Sequence, residues 1–161
     1  MAVIVSDTSP IRALNHLGLL HVLGSLFGEV LVPPAVADEL ERPRFGFAAV
    51  RVAGAANLRV RAPADAARVA ILALTLDPGE AEAIALAEEV AADELLIDEL
   101  AGRMWATRLG LRTVGVLGVL LRAKKAGIIA AVGPLMGRLV AELNFRITPK
   151  LYQDVLRLAG E

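Results

Sequence analysis

The sequence predicts an α/β fold, a mostly parallel sheet covered by helices on both faces, and three observations carry that. Short apolar runs ("VIVS", "VLV", "ELLI") alternate with longer amphipathic stretches, the pattern of strand–helix repeats. The connections between them are short, which suits parallel crossover units. The residues are 56% hydrophobic but only 4% aromatic, so the core is built from Ala, Val, Leu and Ile, a composition that fits helices packed on a β-branched sheet.

Turn signals set the elements in order. Residues 3–6 form the first strand, and Ser9 and Pro10 open a helix running to about residue 26, with Pro in the first turn where its missing N–H costs nothing. Residues 30–32 are a second strand, stopped by Pro33 and Pro34, and a helix from about Ala35 carries Glu39. "RFGFAAVRVAG" reads as another short helix, "NLRVRAP" as a third strand and residues 64–74 as a helix. Then follow a helix (79–92), a strand (94–97), a helix (99–109), a strand (112–114) and a helix (116–126). Two amphipathic segments, 131–143 and 148–159, finish the chain, the latter with Pro149 near its start. No internal repeat, linker or low-complexity segment interrupts this order.

Composition excludes several functions. The chain has no cysteine, which removes disulfides, thiolate zinc sites and cysteine nucleophiles. A metal would be held mainly by oxygen, pointing to Mg²⁺ or Mn²⁺. Mean hydropathy is high at +0.59, yet no apolar run reaches the roughly 18–20 residues of a spanning helix. "AGIIAAVGPLMG" is broken by Gly133 and Pro134, and no Lys or Arg precedes Arg12 as a signal peptide's leader would require. The expectation is a soluble cytoplasmic protein with no membrane partner.

Charge is unevenly spread. The net value is −1, but residues 69–102 hold no Lys or Arg, while nine acids lie between Asp77 and Glu99. Arginines gather on either side of that region. An acidic centre with basic flanks is what a metal site facing a polyanion needs; a solvated helix face among surface arginines is the competing reading.

In such sheets ligands gather at the carboxyl ends of the strands. Asp7 follows the first strand and Asp98 follows "ELLI". If these strands are neighbours, the two carboxylates meet at one edge and repel unless a cation lies between them. Glu80 shares a helical stripe with Ile84, Ala87 and Ala91, the stripe expected to face inward, whereas Glu82 falls with Glu89 and Asp93. Both also fit as first-turn helix acids. Glu39, inside "DELE", carries little signal by itself.

"VSDTSP", "VPPAVADEL", "LDPGEAEAIALA" and "LLIDELAGRMWATRLGLRTVGVLGVLLRAKKAGII", in this order, resemble a PIN domain, and more narrowly a prokaryotic subfamily close to the VapC-type toxin nucleases. The resemblance runs from residue 3 to about 129, with the trailing helices also similar. It implies a three-layer α/β/α, Rossmann-like fold over a single domain, 1–161, with 130–161 as a helical extension packed on it. It also implies an acidic quartet holding Mg²⁺ or Mn²⁺. The quartet's strand-end Asp matches Asp7, its helical Glu matches Glu39, its third acid matches Glu80 (the family more often has Asp) and its last matches Asp98. The eighteen-residue step from Glu80 to Asp98 suits the family better than sixteen from Glu82. Ser9 matches a hydroxyl residue that supports the metal site, and Glu99 stands where relatives often have a second Asp.

The activity implied is endoribonucleolytic cleavage leaving a 5′-phosphate and a 3′-hydroxyl, by the toxin of a toxin–antitoxin pair. RNA is then the substrate and a small antitoxin protein the partner, and homodimers are common among relatives. Arg44, Arg61, Arg103 and Lys124 are candidates for holding the RNA backbone, with plain surface charge as the alternative. A non-catalytic PIN-like module that binds RNA or protein is the second reading. Phosphotransfer through Asp7 lacks an acid two residues on, where Ser9 stands, and no GxGxxG or GxxxxGK[ST] cradle is present. His16 and His21 complete no catalytic dyad.

Overall fold

The computed structural model describes residues 2–44 and 46–161. Strands β1 (Ile4–Ser6), β2 (Val30–Val32), β3 (Leu58–Val60), β4 (Glu94–Leu96) and β5 (Thr113–Val114) form one sheet in the order β3-β2-β1-β4-β5. Every pairing is parallel, with Ile4 beside both Val30 and Glu94. The chain therefore builds outward from β1 in one direction through β2 and β3. It then restarts on the other side of β1 with β4 and β5. The reversal puts the topological switch point between β1 and β4, where crevices open at the carboxyl edge of such sheets.

Helices α1 (Thr8–His16), α2 (His21–Phe27), α3 (Pro34–Glu41), α4 (Ala66–Leu72), α5 (Pro78–Glu89), α6 (Leu100–Arg108), α7 (Val116–Lys125), α8 (Gly133–Leu143) and α9 (Pro149–Leu158) cover both faces. Alternation along each strand divides the core in two. Ile4, Val30, Val32, Leu58, Leu96 and Val114 pack with α1, α2, α3, α7, α8 and α9. Val5, Leu31, Leu95 and Ile97 pack with α4, α5 and α6. This is the three-layer α/β/α arrangement that the sequence predicts. Helix α5 is buried nearly all round, and its alanines at 81, 83, 85 and 87 let α3, α4 and β1 close around it. Among the described residues, no helix is long and apolar enough to cross a membrane.

The structure departs from the sequence reading in two places. The helix expected from Ser9 to about residue 26 is two helices. Gly18 takes a left-handed φ of 72°, and Leu19 N–H bonds back to Leu14 C=O at 2.8 Å, closing α1 before α2 restarts at His21. "RFGFAAVRVAG" is not an α-helix. Arg44 and Phe47 pair as an antiparallel bridge around Gly46, whose φ is 82°, and only Val52–Gly54 turns, as a 3₁₀ segment. Phe45 lies outside the described residues. Val50 is buried there, and its N–H is taken by Leu40 C=O at 2.7 Å, which ties the middle of the segment to α3.

The carboxyl end of the chain is pinned by one side chain. Glu161 accepts from the N–H groups of Val132 (2.8 Å) and Gly133 (2.9 Å), which open α8, and from Lys124 Nζ at 2.9 Å. The Val132 N–H first, then Lys124, hold its carboxyl down at about 2.

Candidate metal and nuclease site

Asp7 stands where β1 ends and α1 begins. Its N–H donates to Leu96 C=O at 2.8 Å, stitching β1 to β4 at the switch point. The residue occupies the N-cap of α1, yet its carboxylate makes no cap bond, and only 4% of its surface is exposed. Burial pushes its pKa up to about 7. The Thr8 backbone N–H opposes that rise, and the charges of Asp77, Glu80 and Glu39 add to it.

Glu39 reaches the same spot from α3. Thr8 Oγ1 donates to Glu39 Oε2 at 2.9 Å. Between the two acids sits Gly79, in the first turn of α5. A Cβ added there would lie 3.2 Å from Glu39 Oε2 and 3.5 Å from Asp7 Oδ1, so both carboxylates converge on one bare backbone position. Replacing Gly79 with Ala is expected to lower any metal-dependent cleavage by about 10–100-fold, the range for small misplacements of reacting groups. Stability should change by less than about 1 kcal/mol, since alanine is the better helix former. Cleavage rates and urea melts of the variant check this, and an unchanged rate would show that the gap is not used.

Glu80 is buried, at 6% exposure. It closes a capping box with Asp77: Asp77 Oδ1 accepts from Glu80 N–H at 2.8 Å and Glu80 Oε2 from Asp77 N–H at 3.2 Å. Burial first, then the Asp77 charge, raises its pKa, with Glu99 and Glu39 adding to the rise. Glu82 points elsewhere, its Oε1 accepting from the Ala35 N–H at the start of α3 at 3.2 Å.

Asp98 follows β4 on the other side of the switch point. Its Oδ1 accepts from Val116 N–H at 3.0 Å, capping α7, while Oδ2 is buried without a partner. Burial raises its pKa to about 6, against the pull of Val116 N–H and the Arg103 guanidinium. Gly115 makes room for this: a Cβ there would fall 2.6 Å from Asp98 Oδ1 and 2.8 Å from Arg103 Nη1.

The acids thus form two groups. Asp7 and Glu80 both feel the charges of Asp77 and Glu39, whereas Asp98 feels Arg103 and Glu99. Exposed Glu99 touches both groups electrostatically, raising Glu80 and Asp98 alike. Among the described residues no three His, Asp or Glu side chains already stand together as a metal cluster. Ser9 is half-buried and forms no side-chain hydrogen bond among the described residues; the hydroxyl that touches an acid is that of its neighbour, Thr8.

Sequence reasoning missed Asp77 and Thr8, which hydrogen-bond Glu80 and Glu39. The first was within reach, because an acid three residues before Glu80 with Pro at the first helical position is a capping-box signature. Of the four basic candidates, Arg103 lies beside Asp98 and lines a cavity of about 600 Å³ with Gly115, Phe145 and Arg146. Arg44 is exposed near Arg12. Arg61 lines a different cavity, with Ala2 and Glu29. Lys124 is bound to Glu161 and to Ala159 C=O.

The residues suit a hard divalent cation. All donors are carboxylate oxygens, two of them converge on Gly79, one buried oxygen of Asp98 has no partner, and burial first of all pushes the Asp7 and Asp98 carboxyls up, so that a cation there would be favoured. The family model DUF3368, a PIN domain, matches residues 3–161. The chain belongs to the PIN-domain family. No curated protein matches it. PIN domains are generally nucleases, so the family places a nucleic-acid-cleaving fold behind these acids.

Proposed function

We propose that this PIN-domain protein is a Mg²⁺- or Mn²⁺-dependent endoribonuclease, VapC-like and acting as the toxin of a toxin–antitoxin pair in the cytoplasm. The observation that carries the reading is the convergence of Asp7 and Glu39 oxygens on Gly79; the unpartnered Oδ2 of Asp98, on the other side of the switch point, supports it. Asp7, Glu39, Glu80 and Asp98 would hold the metal. When bound, it supplies acidity to water and neutralises phosphodiester charge.

The protein's own groups do the rest. Thr8 fixes one oxygen of Glu39, and the Asp77 cap fixes Glu80. Val116 N–H occupies Oδ1 of Asp98 and leaves Oδ2 open. Arg103 stands next to Asp98 in position to pair with a phosphate of the substrate, and Arg146 lines the same cavity. Cleavage would leave a 5′-phosphate and a 3′-hydroxyl. A small antitoxin would bind over this edge. Homodimerisation has apolar surface to use in Leu100 (73% exposed) and Met104 on α6 and Val140 on α8.

The test is cleavage of a structured RNA pool with Mg²⁺ or Mn²⁺, with EDTA as control, by the wild type and by Asp98→Asn. The variant keeps an oxygen for Val116 N–H and so keeps its fold. Its cleavage should fall by about 10²-fold or more, the scale for losing one charge-stabilising group. One observation favours the second reading, a binding module without catalysis: Asp98 is already engaged as a helix cap, apart from the other three acids. Well-folded wild type that binds RNA but does not cleave it would decide for that module.

A further inference from the structure

Arg12 is a buried cation with only 4% of its surface exposed. It lies one helical turn after Thr8, so both side chains leave the same face of α1. Its Nη2 donates to the backbone C=O of Glu39 and, at 3.1 Å, to that of Arg42. These carbonyls end α3, where the helix dipole favours a positive charge; that of Glu39 also accepts from the Arg42 N–H at 3.2 Å. The guanidinium also lies over the Phe47 ring, 5.6 Å from its centroid.

As a stabilising device this is poor. Nε and Nη1 are buried with no partner among the described residues. Idle buried donors on a desolvated charge cost free energy, and an apolar residue of similar volume is often neutral or better at such a place. Local rules broken in this way point to function.

We propose that Arg12 is a positioning residue for Glu39. It holds the backbone from which Glu39 springs while Thr8 holds the carboxylate. One face of α1 thus fixes Glu39 at both ends, and Asp7 at the head of the same helix faces it across Gly79. The role rests on the metal-dependent reading above.

The experiment is a Mn²⁺ titration by calorimetry on wild type, Arg12→Met, Arg12→Lys, Glu39→Gln and the Arg12→Met/Glu39→Gln double variant. Thermal melts and, with RNA, kcat and KM accompany it. Arg12→Met should keep its melting temperature, weaken Mn²⁺ binding by about 10–100-fold, as outer-shell partners of metal ligands do, and lower kcat with KM unchanged. In the Glu39→Gln background it should weaken Mn²⁺ no further. Arg12→Lys should restore only part of the affinity, since an ammonium lacks the planar fork that spans two carbonyls.

An unchanged Mn²⁺ affinity in Arg12→Met overturns the role. So does an undiminished effect in the Glu39→Gln background, or a raised KM alone, which would make Arg12 an RNA contact. Should Arg12→Met not fold, Arg12→Lys is read in its place, and full wild-type affinity there overturns the role too. Wild type that binds no Mn²⁺ removes both this role and the nuclease reading, whereas Mn²⁺ bound equally by wild type and Arg12→Met removes this role alone.

Discussion

Replacing Asp7 with Asn is expected to move activity and stability in opposite directions. Cleavage should fall by at least about 10³-fold, some 4 kcal/mol of transition-state stabilisation at about 1.4 kcal/mol per tenfold. The reason is position. Asp7 is fixed between β1 and β4 by its own N–H on Leu96, and one oxygen faces Glu39 across Gly79. No other carboxylate is placed to substitute for it at the head of α1. The metal-free protein should meanwhile become more stable at neutral pH. The carboxylate is buried among Asp77, Glu80 and Glu39, which costs more than its one favourable contact with the Thr8 N–H returns. Asparagine has nearly the same shape, is a good N-cap residue and carries no charge to desolvate. Single-turnover cleavage and urea denaturation at pH 8 read the two effects separately. A variant that loses both activity and stability would show that the Asp7 carboxylate supports the fold, and a variant that keeps activity would remove Asp7 from the site.

Much of this arrangement is legible in the sequence because it depends on local patterns. Strand runs, proline stops and helical periodicity are properties of neighbouring residues, and they suffice for the α/β class and the order of the elements. The placement of acids at strand ends follows from parallel topology, so the positions of Asp7 and Asp98 needed no coordinates. Only the β4–β1–β2 pairing shows that they flank the switch point. The wheel argument that turned Glu80 inward matches its burial, and Glu82 is drawn off to the Ala35 N–H. What the sequence hides is non-local. Gly18 reads as a tolerated helix residue until its backbone turns left-handed. "RFGFAAVRVAG" reads as helix because nothing in its letters shows that the Val50 N–H is taken by Leu40 C=O on α3. Arg12 in an amphipathic helix reads as surface, and only the packing of α3 and Phe47 over it reveals a buried clamp. Thr8 and Ser9 are equivalent as letters, and the direction of one helix face decides which hydroxyl meets Glu39.

Stability should also depend on pH in the direction opposite to most proteins with paired carboxylates. Asp7 rises from its ordinary 3.8 to about 7 on folding and Asp98 from 3.8 to about 6, both chiefly through burial. Between pH 4 and 7 the folded chain therefore binds more protons at these groups than the unfolded chain does, so stability falls as pH rises through that window and levels off above it. Asp7 alone accounts for a loss on the order of 4 kcal/mol, at about 1.4 kcal/mol for each tenfold gain in proton affinity on folding. Glu80, raised in the same direction, adds to the trend. A divalent cation should reverse it. At pH 8 the carboxylates are ionised and repel, so Mn²⁺ at about 100 times its Kd should restore about 2.7 kcal/mol. At pH 5 protons occupy the same oxygens and the gain should be much smaller. Urea melts at both pH values, with and without Mn²⁺, test this, and the Asp7→Asn variant should lose most of both the pH slope and the Mn²⁺ effect. Metal-free stability that climbs from pH 5 to 8 would mean the carboxylates are satisfied without a cation, leaving the site no electrostatic reason to bind one.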